Sequence, residues 1–460
     1  MEWATAAEIA DAVAGGQCSA LSITDDALAR IAKRNPAINA FTTVVSDRAR
    51  AKAREIDRER GEGRQLGPLA GVPFAVKNLF DVKGLPTLAG SKINRDHAPA
   101  ARDATLIARL EAAGAVLVGA LNMGEYAYDF TGENAHDGAS RNPHDLRCMT
   151  GGSSGGSGGA VAGGMVPLAL GSDTNGSIRV PASFCGIFGL KPTYGRLSRA
   201  RTFPFVASLD HLGPFARNAT DLALAYDVMQ GHDPDDPVCA MRPVERTVPE
   251  LARGTDGLRI AVASGYFRKA AFPEATEAVM RVAKALGTGR EIEIPEAERA
   301  RSAAFVITAT EGAALHLDRL RTRAKDFDPA TRDRLIAGAM VPAALVNQAQ
   351  KFRRWYQARV LELFQEVDVI IAPATPCTAP AIGQQNFVLD GVEMPLRPNI
   401  GIYTQPISFI GLPVVAVPVP LTPMPMGVQI IAAPWREDRA LRVAHALEQA
   451  GVVMAPRSYL

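Results

Sequence analysis

Apolar residues recur at helical spacing from Ala6 to Ala14 and again from Ser22 to Lys33 (SITDDALARIAK), where Ser22 reads as an N-cap ahead of Asp25 and Asp26 in the first turn. Residues 1–62 therefore read as a helical cover laid over something else. From Leu66 the texture changes. GPLAGVPFAVKNLF is a short apolar run bounded by Gly and Pro, the pattern of a buried strand. Thr105 to Ala113 reads as a helix stopped by Gly114, and Ala115 to Leu121 (AVLVGAL) is strand-like again. This is the alternation of βαβ units.

Residues 232–257 are rich in Pro and Asp and read as a surface connection. Beyond it, Leu258 to Ala263 (strand), Pro273 to Leu286 (helix, with Val279, Val282, Ala283 and Leu286 on one face) and Glu291 to Ile294 (strand) make a second pass of the same kind. Ser302 to Glu366 is mostly helical, and Val367 to Ala372, Leu412 to Val419 and Gly427 to Ala432 return to strand character. Strands recur on both sides of the connection with no step in composition, which predicts one large α/β domain over residues 1–460.

Composition narrows the function classes. The 460 residues are 47% hydrophobic and 21% charged, and 50 basic against 48 acidic residues leave a net charge of +2, no footprint for nucleic acid or an anionic membrane. The longest apolar stretch, Ala160 to Leu170, is too short to span a bilayer and contains Pro167. The N-terminus carries acidic residues where a signal peptide needs basic ones. Cys18, Cys148, Cys185, Cys239 and Cys377 are odd in number, lie far apart and include no CxxC, so neither a disulfide framework nor a cysteine metal site is readable and a cytoplasmic protein is expected. No metal and no cofactor is predicted.

The chemistry concentrates in Thr150 to Gly164 (TGGSSGGSGGAVAGG). As a flexible linker it would not run straight into the apolar stretch that follows. As a phosphate loop it lacks the required Lys. It matches the nucleophile elbow GxSxG at Ser153 and at Ser157, with Asp210 and His316 as available triad partners, but low-complexity sequence makes such matches cheap.

A fourth reading accounts for more residues. The block GGSSGGS (Gly151 to Ser157), with GSDTNGSIRVPASFCGIFGLKPTYGR (Gly171 to Arg196) after it and PLAGVPFAVKNLFDVKGLPTLAGS (Pro68 to Ser91) before it, closely resembles the amidase signature family. NMGEYAYDFTGENAHDGASRNPHD, VDVIIAPATP and TQPISFIGLPVVAVPV sit in the family's order, so the resemblance spans nearly the whole chain, with its signature core at 66–217. It implies an α/β fold with a large, mixed, twisted β-sheet surrounded by helices, and hydrolysis of amides by a Ser, Ser, Lys triad. Carried over by position, Ser177 is the nucleophile, Ser153 the bridging serine, preceded by a cis peptide, and Lys77 the base. The residues themselves agree with this. A serine hydroxyl needs a base as it attacks, and a lysine set between VPFAV and LF is desolvated toward the neutral amine a base must be.

Thr174, Asn175, Gly176 and Ser177 form the loop whose N–H groups would face an oxyanion. Asn175 stands where the family usually has Gly, either as a substrate contact or as a residue that tolerates the same backbone. Arg179 reads as the partner of Asp173 in a buried ion pair or as a ligand for a substrate carboxylate. Met123, Tyr126, Tyr128 and Asp129 fall where the family lines its substrate pocket.

Within the family, SKINRDHAP, TNGSIRVPAS, FPFVASLDHLGP and APWREDRALR look most like enzymes that hydrolyse short carboxylated ureides of the 1-carboxybiuret type. Their catalytic chain works with a very small helical partner, which implies a homodimer or a heterotetramer here. The chain departs from those relatives at Asp129 and Asp137, which would add carboxylates near the pocket. Two other readings remain at this point: an ammonia-supplying A-type chain of a tRNA-dependent amidotransferase, and a non-catalytic Gly-loop anion-binding protein.

Overall fold

The computed structural model describes residues 1–458. Its centre is one sheet of eleven strands: β1 (Phe41–Val44), β2 (Pro73–Lys77), β3 (Val116–Leu121), β4 (Leu168–Asp173), β5 (Phe188–Lys191), β6 (His211–Ala216), β7 (Ile260–Ala263), β8 (Glu291–Ile292), β9 (Val369–Pro373), β10 (Val414–Val419) and β11 (Met426–Ala432). The spatial order is β1-β3-β2-β4-β6-β5-β10-β11-β9-β7-β8. Parallel pairing joins β3, β2 and β4 in one block and β9, β7 and β8 in another, and the strands between pair antiparallel. The strands of this sheet's middle are buried along their whole length, which is why they read as continuous apolar runs rather than as alternating ones.

The first helix, Ala6–Ala14, keeps its expected bounds. The second starts earlier than expected, at Ala20, because Ser19 and not Ser22 is the cap: the Ser19 Oγ accepts the Ser22 N–H at 3.0 Å. The N-terminal cover is also not wholly helical. Its four residues Phe41–Val44 pair antiparallel with β3 at the edge of the sheet, a segment too short to show a period. The connection at 232–257 is pinned from within, since Asp233 accepts from Ser198 Oγ and Thr105 Oγ1 and Asp236 accepts from Arg199 N.

The Gly/Ser segment is a buried helix, Gly155–Ala162. Its glycines serve packing, not flexibility: a Cβ on Gly156 would lie 2.5 Å from Ala40 O and 2.6 Å from both Asn122 N and Asn122 O. The helix thus presses directly on the backbone at the end of β3. β2 and β4 are parallel neighbours, with Val76 beside Leu170, so Lys77 and Asp173 reach the same edge of the sheet. The turn that carries Ser177 follows Asp173 at that edge, the place where open α/β sheets hold their ligands.

The N-terminal helix is fastened by Asp221, which is buried and accepts the N–H groups of Ala6 at 2.7 Å and Ala7 at 3.1 Å. Asp221→Ala leaves those donors without their acceptor and is expected to cost about 1–3 kcal/mol. The check is the midpoint of chemical unfolding, and an unchanged midpoint would show that the clamp contributes nothing.

Candidate active site

Lys77 ends β2 with no solvent exposure. Its Nζ lies 2.7 Å from Ser153 Oγ, 3.0 Å from Ser154 Oγ and 2.8 Å from Ser172 Oγ. All three neighbours are hydroxyls and none is a carboxylate. Burial brings the Lys77 pKa down to about 7, against the opposing pull of Asp210, Asp173 and Asp129 at longer range. A second buried lysine, Lys191, is also lowered to about 7 by burial, but its Nζ is spent on the carbonyls of Leu412 and Pro192. Only Lys77 of the two touches serines.

Ser153 is fully buried, and the Gly152–Ser153 peptide is cis. Its carbonyl accepts the Gly124 N–H at 3.2 Å, while Gly152 N donates to Phe130 O at 2.8 Å. Ser157, the other GxSxG match, lies on the buried helix and donates its hydroxyl to Leu170 O on β4.

Ser177 sits in the turn between β4 and the helix Arg179–Cys185. Thr174 Oγ1 donates to Asp210 Oδ1 at 2.6 Å, and Thr404 Oγ1 donates to Asn175 O at 2.7 Å, so both sides of the turn are tied down. Among the described residues, the N–H groups of Asn175, Gly176 and Ser177 donate to no group of the chain. Below the turn, Arg179 and Asp173 form a fully buried pair at 3.0 Å. Burial pushes the Asp173 carboxyl up, but Arg179 outweighs it and holds the group below the usual carboxylate range.

A small cavity of about 20 Å³ lies against the turn, lined by Ser177, Asn175, Tyr128, Asp129, Phe305 and Arg334 among others. A larger one, about 240 Å³, shares Ala127 and Phe205 with it and reaches Ser172. Asn175 Nδ2 lies 2.9 Å from Thr308 Oγ1, and its Oδ1 is buried with no partner.

Four residues expected at or near the pocket stand elsewhere. Arg179 uses every N–H it has, on both Asp173 oxygens, Thr404 O, Gln429 Oε1 and Ser408 Oγ, and keeps none for a substrate. Tyr126 packs in the core, its ring centroid 4.0 Å from that of His316 and its hydroxyl on Asn94. Met123 is buried beside it and does not line the cavity. Asp137 pairs with Arg95 at 2.5 Å, away from the cavity, so only Asp129 brings a carboxylate there. His316 and Asp210 make no contact with a serine nucleophile: His316 packs on aromatic rings, and Asp210 accepts from Thr174, Phe205 and Val206.

Arg334 carries no local sequence signal. It lies on the helix Pro329–Ala339 with its guanidinium 3.9 Å from the centre of the Tyr128 ring, its Nε on Ala330 O and its Nη2 on Tyr128 O. Its Nη1 donates to no group among the described residues, at the wall that also carries Ser177. Ser154 and Ser172, the other hydroxyls on Lys77, lie inside the sequence motifs, where nothing local singles them out. Among the described residues no group of His, Cys, Asp and Glu is arranged to hold a metal ion, and no helix is long and apolar enough to cross a membrane.

Comparison with known proteins places this geometry. The Amidase family model matches residues 22–441. The chain is 54% identical to AtzE, a 1-carboxybiuret hydrolase chain of Pseudomonas sp. (strain ADP), over 97% of this chain and 98% of the relative. It is 38% identical to the A chain of the glutamyl-tRNA(Gln) amidotransferase of Azotobacter vinelandii, over 97% of each. Among solved structures it superposes with a TM-score of 0.98 and 54% identity on an s-triazine catabolic enzyme described in a vestigial protein complex, covering 98% of this chain and 100% of that one.

Removing the guanidinium fork below the turn leaves Asp173 buried with too few partners. Arg179→Lys is expected to lower stability, toward the ~3–5 kcal/mol of a broken buried pair, without changing which substrates are preferred. Denaturant midpoints and a substrate panel on the same variant check both halves.

Proposed function

The chain belongs to the amidase family and is a hydrolase of C–N bonds, and from that premise we propose that it cleaves a small amide or ureide carrying a carboxylate, of the 1-carboxybiuret kind, through an acyl-enzyme on Ser177. The observation that carries the mechanism is the contact of a fully buried lysine with Ser153, 2.7 Å from Nζ to Oγ, at the sheet edge that also holds the Ser177 turn.

In this reading Ser177 Oγ attacks the substrate carbonyl carbon while its proton passes to Ser153 Oγ, and the Ser153 proton passes to the neutral amine of Lys77. The oxyanion takes the N–H groups of Asn175, Gly176 and Ser177, donors that no group of the chain among the described residues occupies. The C–N bond then breaks, and the leaving nitrogen receives the proton back through the same two residues. Water attacks the ester, gives its proton to the same relay and releases the acid and Ser177.

Substrate class follows from two cavity residues. Arg334 offers Nη1 at the wall beside Ser177, a cation suited to a carboxylate, and its stack on Tyr128 fixes its plane. Asn175 Oδ1, buried and unpaired, suits a substrate N–H. With only about 20 Å³ open, the side chains of the wall move aside when substrate enters, and small substrates are favoured over fatty or peptide amides. The high identity to a 1-carboxybiuret hydrolase supports the same class. The relative described in a vestigial protein complex supports a protein partner for this chain as well. The amidotransferase A chains share the fold at lower identity, so glutamine belongs in the substrate panel as the competing reading.

Ser177→Ala is expected to abolish both ammonia release and hydroxamate formation in the presence of hydroxylamine, since no ester forms. Hydroxamate from that variant would remove Ser177 from its role. Wild-type kcat/KM is expected to fall as pH drops below about 7, where the Lys77 ammonium can no longer accept a proton. A profile flat from pH 5 to 9, with chemistry limiting, counts against the lysine base.

Arg334→Met is expected to cost about 10- to 100-fold in kcat/KM for 1-carboxybiuret while sparing a neutral short amide, the scale of a lost charge-assisted hydrogen bond. Equal losses on both substrates would take the carboxylate away from Arg334.

A further inference from the structure

Asp129 is the one acidic side chain on the wall of the nucleophile cavity among the described residues, and it is almost wholly buried. Its carboxylate folds the next turn around itself: it accepts the N–H of Thr131 at 3.0 Å, the Thr131 hydroxyl at 2.8 Å and the N–H of Gly132 at 2.6 Å. That turn is what Ser153 leans on. Gly152 N donates to Phe130 O at 2.8 Å, and a Cβ built on Gly152 would stand 2.3 Å from Asp129 Oδ2, so only glycine lets the carboxylate press against this peptide.

On its other side Asp129 is ion-paired with Arg397, whose Nη2 also reaches Glu133 at 3.0 Å. Arg397 begins the segment that roofs the cavity. Pro398 and Gln405 line it, and Arg301 ties the segment down through Pro398 O, Asn399 Oδ1 and Gln405 Oε1. The same carboxylate therefore touches the support of the bridging serine and the roof over the substrate.

We propose that Asp129 and Arg397 are a positioning pair for the Ser153 relay, holding the Asp129–Gly132 turn against the Gly152–Ser153 peptide and locking that turn to the cavity roof. The inference rests on Ser153 being the bridging serine. The pair also sets the charge balance at the site. Lys77 is faced by Asp129, Asp173 and Asp210, and Arg334 is faced by Tyr128, Asp129, Asp328 and Arg397. With Asp129 paired to Arg397, the one carboxylate on the wall of this cavity among the described residues is already engaged when an anionic substrate meets Arg334.

The two halves of the pair give opposite electrostatic signatures. Asp129→Asn removes a negative charge near Lys77 and sets an amide N–H2 against Gly132 N–H or Arg397; kcat is expected to fall about 10- to 100-fold with KM changed little, and the acid limb to move to lower pH. Arg397→Gln leaves Asp129 unneutralised, so kcat should fall while the acid limb moves to higher pH, and Arg397→Lys should recover most of the loss. A role confined to holding the fold lowers the unfolding midpoint without moving either limb. Ser153→Ala is measured in parallel, and its retained turnover would overturn the relay reading itself. With Ser153→Ala inactive, a wild-type kcat in Asp129→Asn or unmoved limbs in both variants overturns the positioning pair alone.

Discussion

The structure turns on a lysine ammonium taken out of water and given only hydroxyls as partners. Lys77 has no exposure and no carboxylate in contact, so the charged form loses hydration that nothing at short range replaces. Much of the surrounding architecture follows from maintaining that condition. β2 carries the lysine to the edge of a fully buried parallel block, the buried glycine-rich helix follows directly on Ser153 and Ser154, and three serines from two segments take up the lysine's donors. The acids nearby remain at a distance, near enough to moderate the lysine and too far to pair with it.

The site's charges divide into those committed to the fold and those left over. Arg179 and Asp173 lie beside the Ser177 turn and are engaged with each other, with Thr404 O and Ser408 Oγ, with Gln429 Oε1 and with the Ile178 N–H, so they hold the turn from below. Asp210 restrains Thr174 from one side, and Thr404 restrains Asn175 from the other. Asp129 is neutralised by Arg397. Besides the N–H groups of the Ser177 turn, Arg334 Nη1 and Asn175 Oδ1 stay without a partner at the cavity wall among the described residues, one donor on a cation and one acceptor, and the proposed substrate class rests on them.

High identity to a 1-carboxybiuret hydrolase chain and lower identity to amidotransferase A chains describe one scaffold used for different substrates. The sheet edge, the lysine and the serine-bearing turns belong to residues 68–196, where the sequence motifs lie. The wall of the cavity at the Ser177 turn draws also on Phe305, Thr308, Arg334 and Pro398, from the helical region and the segment after Arg397 much later in the chain.

By itself the sequence determined the α/β class and the buried strands at Pro73–Lys77, Val116–Leu121 and Val369–Pro373, and it singled out Lys77, Ser153 and Ser177, because each is written as a local apolar run or a motif of adjacent residues. The cap of the second helix differs by three residues because two serines compete for it, and only the folded backbone chooses Ser19. The Gly/Ser segment carries no helical signal because its glycines answer to the backbone of Asn122 and Ala40, contacts distant in the chain. Arg179 can be read as a pair or a ligand until its five N–H groups are counted against their partners. Arg334 is silent because a guanidinium becomes a site only when one of its nitrogens is left unpaired beside a nucleophile 157 positions earlier, and tertiary packing alone decides which donors are spent and which remain.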